Sequence, residues 1–220
     1  MKYPEAKLQT FRLSIEPFNH PSTRSWRKRS IDIVGSLVGL LFLAIVFIPI
    51  VIAIKLDSPG SVFYTQIRCG LRGKTFKLRK FRSMVTDAEQ LKSMVENEGS
   101  KLLFKNTNDP RITRVGQFLR RTSLDELPQF WNVLAGDMSL VGTRPPTLDE
   151  VEHYDDRHWQ RLEVKPGLTG EWQVNGRSEI KDFEQVVNLD LRYQERWSVV
   201  YDLFLILKTL QVVFTRRGAY

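Results

Sequence analysis

An uncharged run from Ile33 to Ile54, dense in Leu, Ile, Val and Phe, constrains this chain more than any other feature. A helix needs roughly 20 apolar residues to cross a bilayer, and this run is long enough. At about −0.4 kcal/mol for each strongly apolar residue, insertion of the whole run is favourable by an energy of order 6 kcal/mol. It does not read as a cleaved leader: it begins late, outruns a leader's apolar core of about 7–15 residues, and no small-x-small site follows. Without it and the polar residues before it, about 160 residues are left, one domain of ordinary size with its own core.

The flanks of the run are basic on both sides. Arg24, Arg27, Lys28 and Arg29 precede it; Lys55, Arg68, Arg72, Lys74, Lys77, Arg79, Lys80 and Arg82 follow. Cytoplasmic flanks carry the excess of Lys and Arg, and a straight span can put only one flank in the cytoplasm. Two topologies therefore stand: a single-pass helix kinked at Pro49, or a re-entrant helix that breaks near Pro49 and returns to the same face. In both, the C-terminal domain is cytoplasmic. Asp32, costly in lipid, is expected to pair with a nearby Arg.

The net charge of +8 and a pI near 9.7 point to a polyanionic partner. The cations are dispersed, and no helix-turn-helix or aromatic–basic platform is recognisable, so nucleic acid is not the expected partner. The single cysteine, Cys69, excludes an intramolecular disulfide. His20, His153 and His158 have no metal-ligand spacing with it.

Residues 1–25 read as a flexible polar tail, 26–57 as the membrane anchor and 58–220 as the cytoplasmic domain. Val62–Arg68 and Thr75–Phe81 flank Gly70–Gly73 and predict a hairpin. Thr86 with Glu89 predicts a capping box opening a helix to about Asn97. Gly99–Pro110 is a loop, and Arg114–Arg121 a short basic helix. Ser123 with Glu126 predicts another capping box, for a helix ending near Gly136, and Thr147 with Glu150 one for a helix over Leu148–Leu162. Pro166–Gly170 reads as a tight turn, Glu171–Val174 as a strand and Phe183–Phe214 as mostly helical. Val199–Phe214 suits either a core helix or one lying in the membrane interface.

Gly70-Leu71-Arg72-Gly73-Lys74-Thr75 has two residues between its glycines rather than four and lies between strands, so it is a hairpin turn and not a phosphate-binding loop. Asp125-Glu126 admits two readings. Acidic residues in a helix's first turn offset the macrodipole. A carboxylate kept ionised there can also act as a nucleophile or a Mg²⁺ ligand, with Arg120, Arg121 and Arg144 to neutralise phosphate oxygens. Lys80 and Arg82 fall on one face of a predicted strand, as phosphate ligands or as solvated cations. Arg177 follows a turn at Asn175-Gly176.

Together these residues resemble the bacterial sugar transferases, monotopic phosphoglycosyl transferases. The likeness covers about Arg27 to Gly218. It rests on Lys-Arg-Ser-Ile-Asp at 28–32, Ser-Pro-Gly at 58–60, Lys-Phe-Arg-Ser-Met at 80–84 and Arg-Arg-Thr-Ser-Leu-Asp-Glu-Leu-Pro-Gln at 120–129. It continues in the segment Asn132–Pro145, in Lys-Pro-Gly-Leu-Thr-Gly at 165–170 and in Gln-Val-Asn-Gly-Arg at 173–177. The resemblance implies an α+β, mostly helical fold: a re-entrant membrane helix and a small cytoplasmic domain with a short β-hairpin and interfacial helices. It implies transfer of a sugar 1-phosphate from a UDP-sugar to polyprenyl (undecaprenyl) phosphate with release of UMP, at the cytoplasmic face of a bacterial inner membrane, early in surface-glycan or exopolysaccharide assembly. Asp125 would be the nucleophile, Glu126 its neighbour in Mg²⁺ binding or proton handling, and Arg120 and Arg144 phosphate ligands. Lys80, Arg82 and Arg177 are carried over by motif position as substrate-binding residues. The partners implied are the UDP-sugar, the polyprenyl phosphate and the bilayer, and an oligomer is compatible with them. An inactive membrane-tethered scaffold of the same fold is the competing reading. The chain departs from the family pattern where Ala44-Ile45 stands at the usual Ser-Pro break and where Thr143 replaces a common Pro. It resembles the short members, without the multi-span N-terminal module of the large ones.

Overall fold

The computed structural model describes residues 19–176 and 180–215. Most of the predicted polar tail lies outside the described residues. A helical turn, α1 (Pro21–Arg24), leads into α2 (Trp26–Asp57), which contains the apolar run. Ser25 caps α2, its side chain accepting from the Lys28 amide. Pro49 lies inside α2 but does not end it, so the predicted break is not seen as an interruption of the helix. The proline only removes one amide donor from the ladder.

At about 1.5 Å per residue, α2 is about 48 Å long. It touches the rest of the protein at both ends and between them. Near its start, Asp32 Oδ1 accepts from the Ser139 hydroxyl (2.9 Å) and the Leu140 amide (2.8 Å). The partner expected for Asp32 was an Arg; hydrogen bonds from a neighbouring strand satisfy it instead. Further along, a Cβ on Gly35 would meet the Leu140 side chain at 2.5 Å, and one on Gly39 the Phe130 ring at 2.5 Å. Toward its end, Ile50 and Ile54 cluster with Phe81, Leu119 and Leu127. The opposite side exposes an apolar stripe that includes Val34, Val38, Leu41, Ile45, Ile48 and Ile52.

The domain opens with the predicted hairpin. β1 (Phe63–Cys69) and β2 (Thr75–Phe81) pair antiparallel, with Tyr64 opposite Lys80 and Arg68 opposite Phe76. Helix α3 (Arg114–Arg121) also stands where the sequence places it, capped by Thr113. The helix expected from Thr86 does not form. The Arg111 guanidinium takes the Ala88 carbonyl (3.0 Å), and only a 3₁₀ piece, Gln90–Met94, follows.

The second predicted capping box is also absent. Ser123 is left-handed (φ 57°), and a helix cap needs extended backbone. Leu124–Glu126 is instead a 3₁₀ turn, and α4 (Gln129–Ala135) starts after Pro128. Pro128 has no amide to continue a helix from Ser123. The Thr147–Glu150 box is present, but its helix stops after α5 (Leu148–Val151). Asp155 caps a new start, α6 (Asp156–Trp159), followed by the 3₁₀ piece Gln160–Glu163.

Two further expectations reverse. The predicted turn at Pro166–Gly170 holds a strand, β4 (Gly167–Thr169), parallel to β3 (Ser139–Val141). The predicted strand at Glu171–Val174 is a one-turn helix, α7. Glycines permit the parallel pairing, since a Cβ on Gly142 would lie 2.2 Å from the Lys165 carbonyl oxygen. Helices α8 (Phe183–Arg196) and α9 (Val199–Thr215) complete the chain. Helix α9 buries Asp202 and Leu205 and exposes Val200, Leu203, Phe204, Leu207 and Leu210, so it carries both a core face and an exposed apolar face. The main core gathers Leu78, Val133, Met138, Val141, Tyr193 and Leu205 between hairpin, α4, β3 and the last two helices. The fold is α+β and mostly helical, as the sequence implies.

Candidate active site

The site is built on the end of β2 and on the 3₁₀ turn that replaces the expected helix. Lys80 Nζ donates to Glu126 Oε1 (2.7 Å), joining residues 46 apart in sequence. Both side chains are 28% exposed, so the pair faces outward while Asp125, beside it, is buried. The left-handed Ser123 sets the direction in which this turn leaves α3. For a non-glycine residue that conformation costs about 1 kcal/mol or more, and such strain gathers at functional sites.

Arg120, in the last turn of α3, donates from Nε to the Ser83 hydroxyl (3.0 Å), three residues after Lys80. The approach depends on Gly116, where a Cβ would sit 2.0 Å from the Ser83 carbonyl oxygen. Arg82 is placed differently from the sequence expectation. Its guanidinium donates to the Pro59 and Ser58 carbonyls, tying the end of β2 to the turn that follows α2. It follows the last residue of the strand and is not gathered with Lys80. Arg177 lies outside the described residues.

Arg144 belongs to a second cluster. It forms a bidentate pair with Glu150 (2.8 and 3.1 Å) and lies over the Trp172 ring. Arg68, which sequence reasoning did not single out, joins it and donates to the Pro145 carbonyl (2.8 Å). Burial and the neighbouring Arg144 bring the Arg68 guanidinium down to about 10, against the pull of Glu150. Burial works against charge on Arg144 too, but the Glu150 carboxylate outweighs it and holds Arg144 above its usual value. The signal for Arg68 is strand alternation: Tyr64, four residues earlier on the same face, stands opposite Lys80. Four strand residues span about 13 Å. One face of the hairpin thus carries an ammonium bonded to a carboxylate pair at one end and a guanidinium cluster at the other.

The donor set suits a Mg²⁺ ion held mainly by substrate phosphates. Asp125 and Glu126 are adjacent oxygen donors, and among the described residues no group of three or more His, Cys, Asp or Glu could hold a metal. Mg²⁺ is typically bound through one or two carboxylates plus phosphate oxygens and water.

Residues 23–216 match the sequence model of the family described as bacterial sugar transferase. The chain is 51% identical over 194 residues to the galactosyl transferase CpsE of Streptococcus agalactiae, covering 87% of this chain and 43% of that protein. It is 43% identical over 210 residues to an undecaprenyl-phosphate galactose phosphotransferase of Salmonella typhimurium, covering 92% and 44%. Against the exopolysaccharide production protein ExoY of Rhizobium meliloti it is 39% identical over 199 residues, covering 88% of each. The chain thus spans less than half the length of the first two relatives and most of the third.

Proposed function

This chain belongs to the bacterial sugar transferase family, and on that premise we propose that it transfers a sugar 1-phosphate from a UDP-sugar to a polyprenyl phosphate at a membrane surface. The observation that carries the reading is the Asp125-Glu126 pair: it sits on a turn entered through the left-handed Ser123, its Glu126 is bonded to Lys80, and it adjoins the last turns of the apolar helix through Leu127, Ile50 and Ile54. In this reading the turn lies at the membrane surface, where a water-soluble nucleotide and the phosphate of a lipid would both approach the carboxylate.

In the proposed reaction an Asp125 carboxylate oxygen attacks the β-phosphorus of the donor. The bond from that phosphorus to the bridging oxygen breaks, and UMP leaves with the electron pair. An oxygen of the lipid phosphate then attacks the same phosphorus and frees the carboxylate. Lys80 fixes Glu126 beside the nucleophile, and Arg120 offers a fixed positive charge next to the turn. Arg144 and Arg68, about 13 Å along the hairpin face, are placed for a more distant anionic part of the donor. Asp125 and Glu126 would hold a Mg²⁺ ion, which would neutralise phosphate charge there.

We further propose that α2 does not cross the bilayer. Both of its ends pack on the same domain, and its exposed apolar stripe and that of α9 give the protein two faces for one leaflet. The basic flanks on both sides of the apolar run support a domain on the cytoplasmic side of the inner membrane.

The test is UMP release from UDP-glucose or UDP-galactose by the full chain with undecaprenyl phosphate and Mg²⁺. Asp125→Asn should abolish release. Lys80→Met should lower it about a hundredfold, as for loss of one preorganised charge. Wild-type rates from Asp125→Asn would remove the nucleophile assignment, and no release by the unaltered protein with any UDP-sugar would favour the scaffold reading.

A further inference from the structure

A second positively charged site lies at the other end of α2. A cavity of about 150 Å³ is lined by Arg24, Lys28, Arg29, Lys165 and Asp32, with Trp26 at its edge. Four cations line the cavity with one carboxylate, Asp32, while Asp137 acts on Lys165 from outside the lining. Asp32 Oδ1 is already taken by Ser139 and Leu140, and Lys28 is paired with Asp202 at 2.6 Å. Arg29 donates to the Val133 and Leu134 carbonyls, which leaves its charge without a counter-ion among the described residues. Arg24 and Lys165 have no hydrogen bond or ion pair among the described residues. Burial and the neighbouring Arg29 hold the half-buried Lys165 ammonium below its ordinary value, against the pull of the Asp32 and Asp137 carboxylates.

We propose that this cavity binds the phosphodiester headgroup of an anionic membrane lipid, with Arg24 and Lys165 as its ligands. The inference rests on the membrane placement proposed above. The cavity lies about one to two turns before the exposed apolar stripe begins at Ile33 and Val34. Trp26, 72% exposed, stands at the same level, where indole rings prefer the headgroup region. Phosphates at that depth meet the cavity, and hydrocarbon meets the stripe. The acceptor lipid of the proposed reaction does not account for this site. Lys28 and Ile54 are separated by about 39 Å along the helix, and Ile54 is the residue that packs beside the Asp125 turn. A lipid bound here holds the entry of α2 at a fixed depth while the reaction proceeds at its other end.

The experiment uses the full chain in a neutral detergent, titrated with short-chain phosphatidylglycerol, phosphatidylcholine or inorganic phosphate, with tryptophan fluorescence as the readout. We expect saturable binding of phosphatidylglycerol alone. A juxtamembrane cation contributes about fivefold in affinity, so Arg24→Gln with Lys165→Gln should weaken binding about twenty-five-fold. Both changes keep most of the aliphatic stems and remove no hydrogen bond. Arg27→Gln removes the same charge one residue from Trp26 but not from the cavity lining, and should weaken binding by less than about twofold. Equal weakening by Arg27→Gln overturns the site in favour of diffuse attraction. Inorganic phosphate competing at the same concentration overturns it in favour of a free ion, and equal binding of phosphatidylcholine overturns the charge recognition. Sedimentation with phosphatidylcholine vesicles separates the two readings. A protein that fails to sediment refutes the membrane placement. One that sediments without the headgroup preference refutes the lipid site alone.

Discussion

The buried Lys28–Asp202 pair determines how the start of α2 is held to the domain, and its removal has a calculable cost. Lys28 Nζ donates to Asp202 Oδ2 (2.6 Å), to the Val141 carbonyl (2.9 Å) and to the Tyr193 hydroxyl (3.2 Å). Asp202 also accepts from Tyr193 (2.8 Å) and from the Trp197 indole (3.1 Å). The two charged side chains are 7% and 2% exposed, so neither falls back on water. Lys28→Met leaves a buried carboxylate with two neutral donors in place of an ammonium. Breaking such a pair costs about 3–5 kcal/mol, mostly as the penalty of the stranded charge. Asp202→Asn should cost a similar amount by stranding Lys28. In the double variant neither charge of the pair remains, so its loss should be close to that of one single variant, giving a coupling of about 3–5 kcal/mol, the size of one single loss. The assay is unfolding in mixed micelles at rising dodecyl sulfate fraction, followed by tryptophan fluorescence. Losses that add within about 0.5 kcal/mol, or a single-variant loss below about 1 kcal/mol, would refute the claim that this pair is desolvated and mutually dependent.

Two other outcomes follow from the geometry. Gly142→Ala places a methyl group 2.2 Å from the Lys165 carbonyl oxygen and 2.7 Å from the Gly167 nitrogen; it should break the β3–β4 pairing and cost about 3 kcal/mol or more in the same unfolding assay. The Arg144–Glu150 pair sets an acid limit. Burial raises the Glu150 carboxyl, but Arg144 outweighs it and holds the folded value below the ordinary 4.5. The native state therefore binds fewer protons than the unfolded chain, and the pair's stabilisation, full above pH 4.5, is lost as the pH falls through the lower folded value. Glu150→Gln should flatten the fall in unfolding midpoint below pH 4.5 relative to the unaltered protein; parallel curves would contradict the pairing.

What the sequence made legible was local. The hairpin, α3 and the Thr147 cap each depend on signals within a few residues: alternation about a glycine turn, apolar spacing, a hydroxyl three residues before a glutamate. What it hid depends on residues far apart. A capping pattern at Ser123 fails because Pro128 and the approach of Lys80, 46 residues from Glu126, favour a tighter turn. The Pro166–Gly170 segment reads as a turn by composition, yet the same glycines let it pair with a strand 28 positions earlier. At the candidate site, motifs 40 or more positions apart named Lys80 and Asp125-Glu126, and the fold sets Lys80 against Glu126. The sequence grouped Arg82 with Lys80 by spacing, whereas the Arg82 guanidinium is held by the Ser58 and Pro59 carbonyls, contacts with no local sequence signal. Arg68 carried no motif, and only the pairing of Tyr64 with Lys80 places it on the same face.

The apolar helix is also more than a tether. Ile50 and Ile54 are 6% and 2% exposed, and the residues covering them come from each element of the site: Phe81 next to Lys80, Leu119 next to Arg120 and Leu127 next to Glu126. Asp57, at the end of the same helix, accepts from the Val115 amide in the first turn of α3 (3.0 Å). Removing the two isoleucines from that cluster would expose apolar surface worth about 1.5–3 kcal/mol each, and would do so under the turn that orients the carboxylates. The apolar helix and the candidate site therefore share one core. The apolar helix fixes the position of the Asp125 turn by packing, so a shift of the helix against the domain would shift that turn with it.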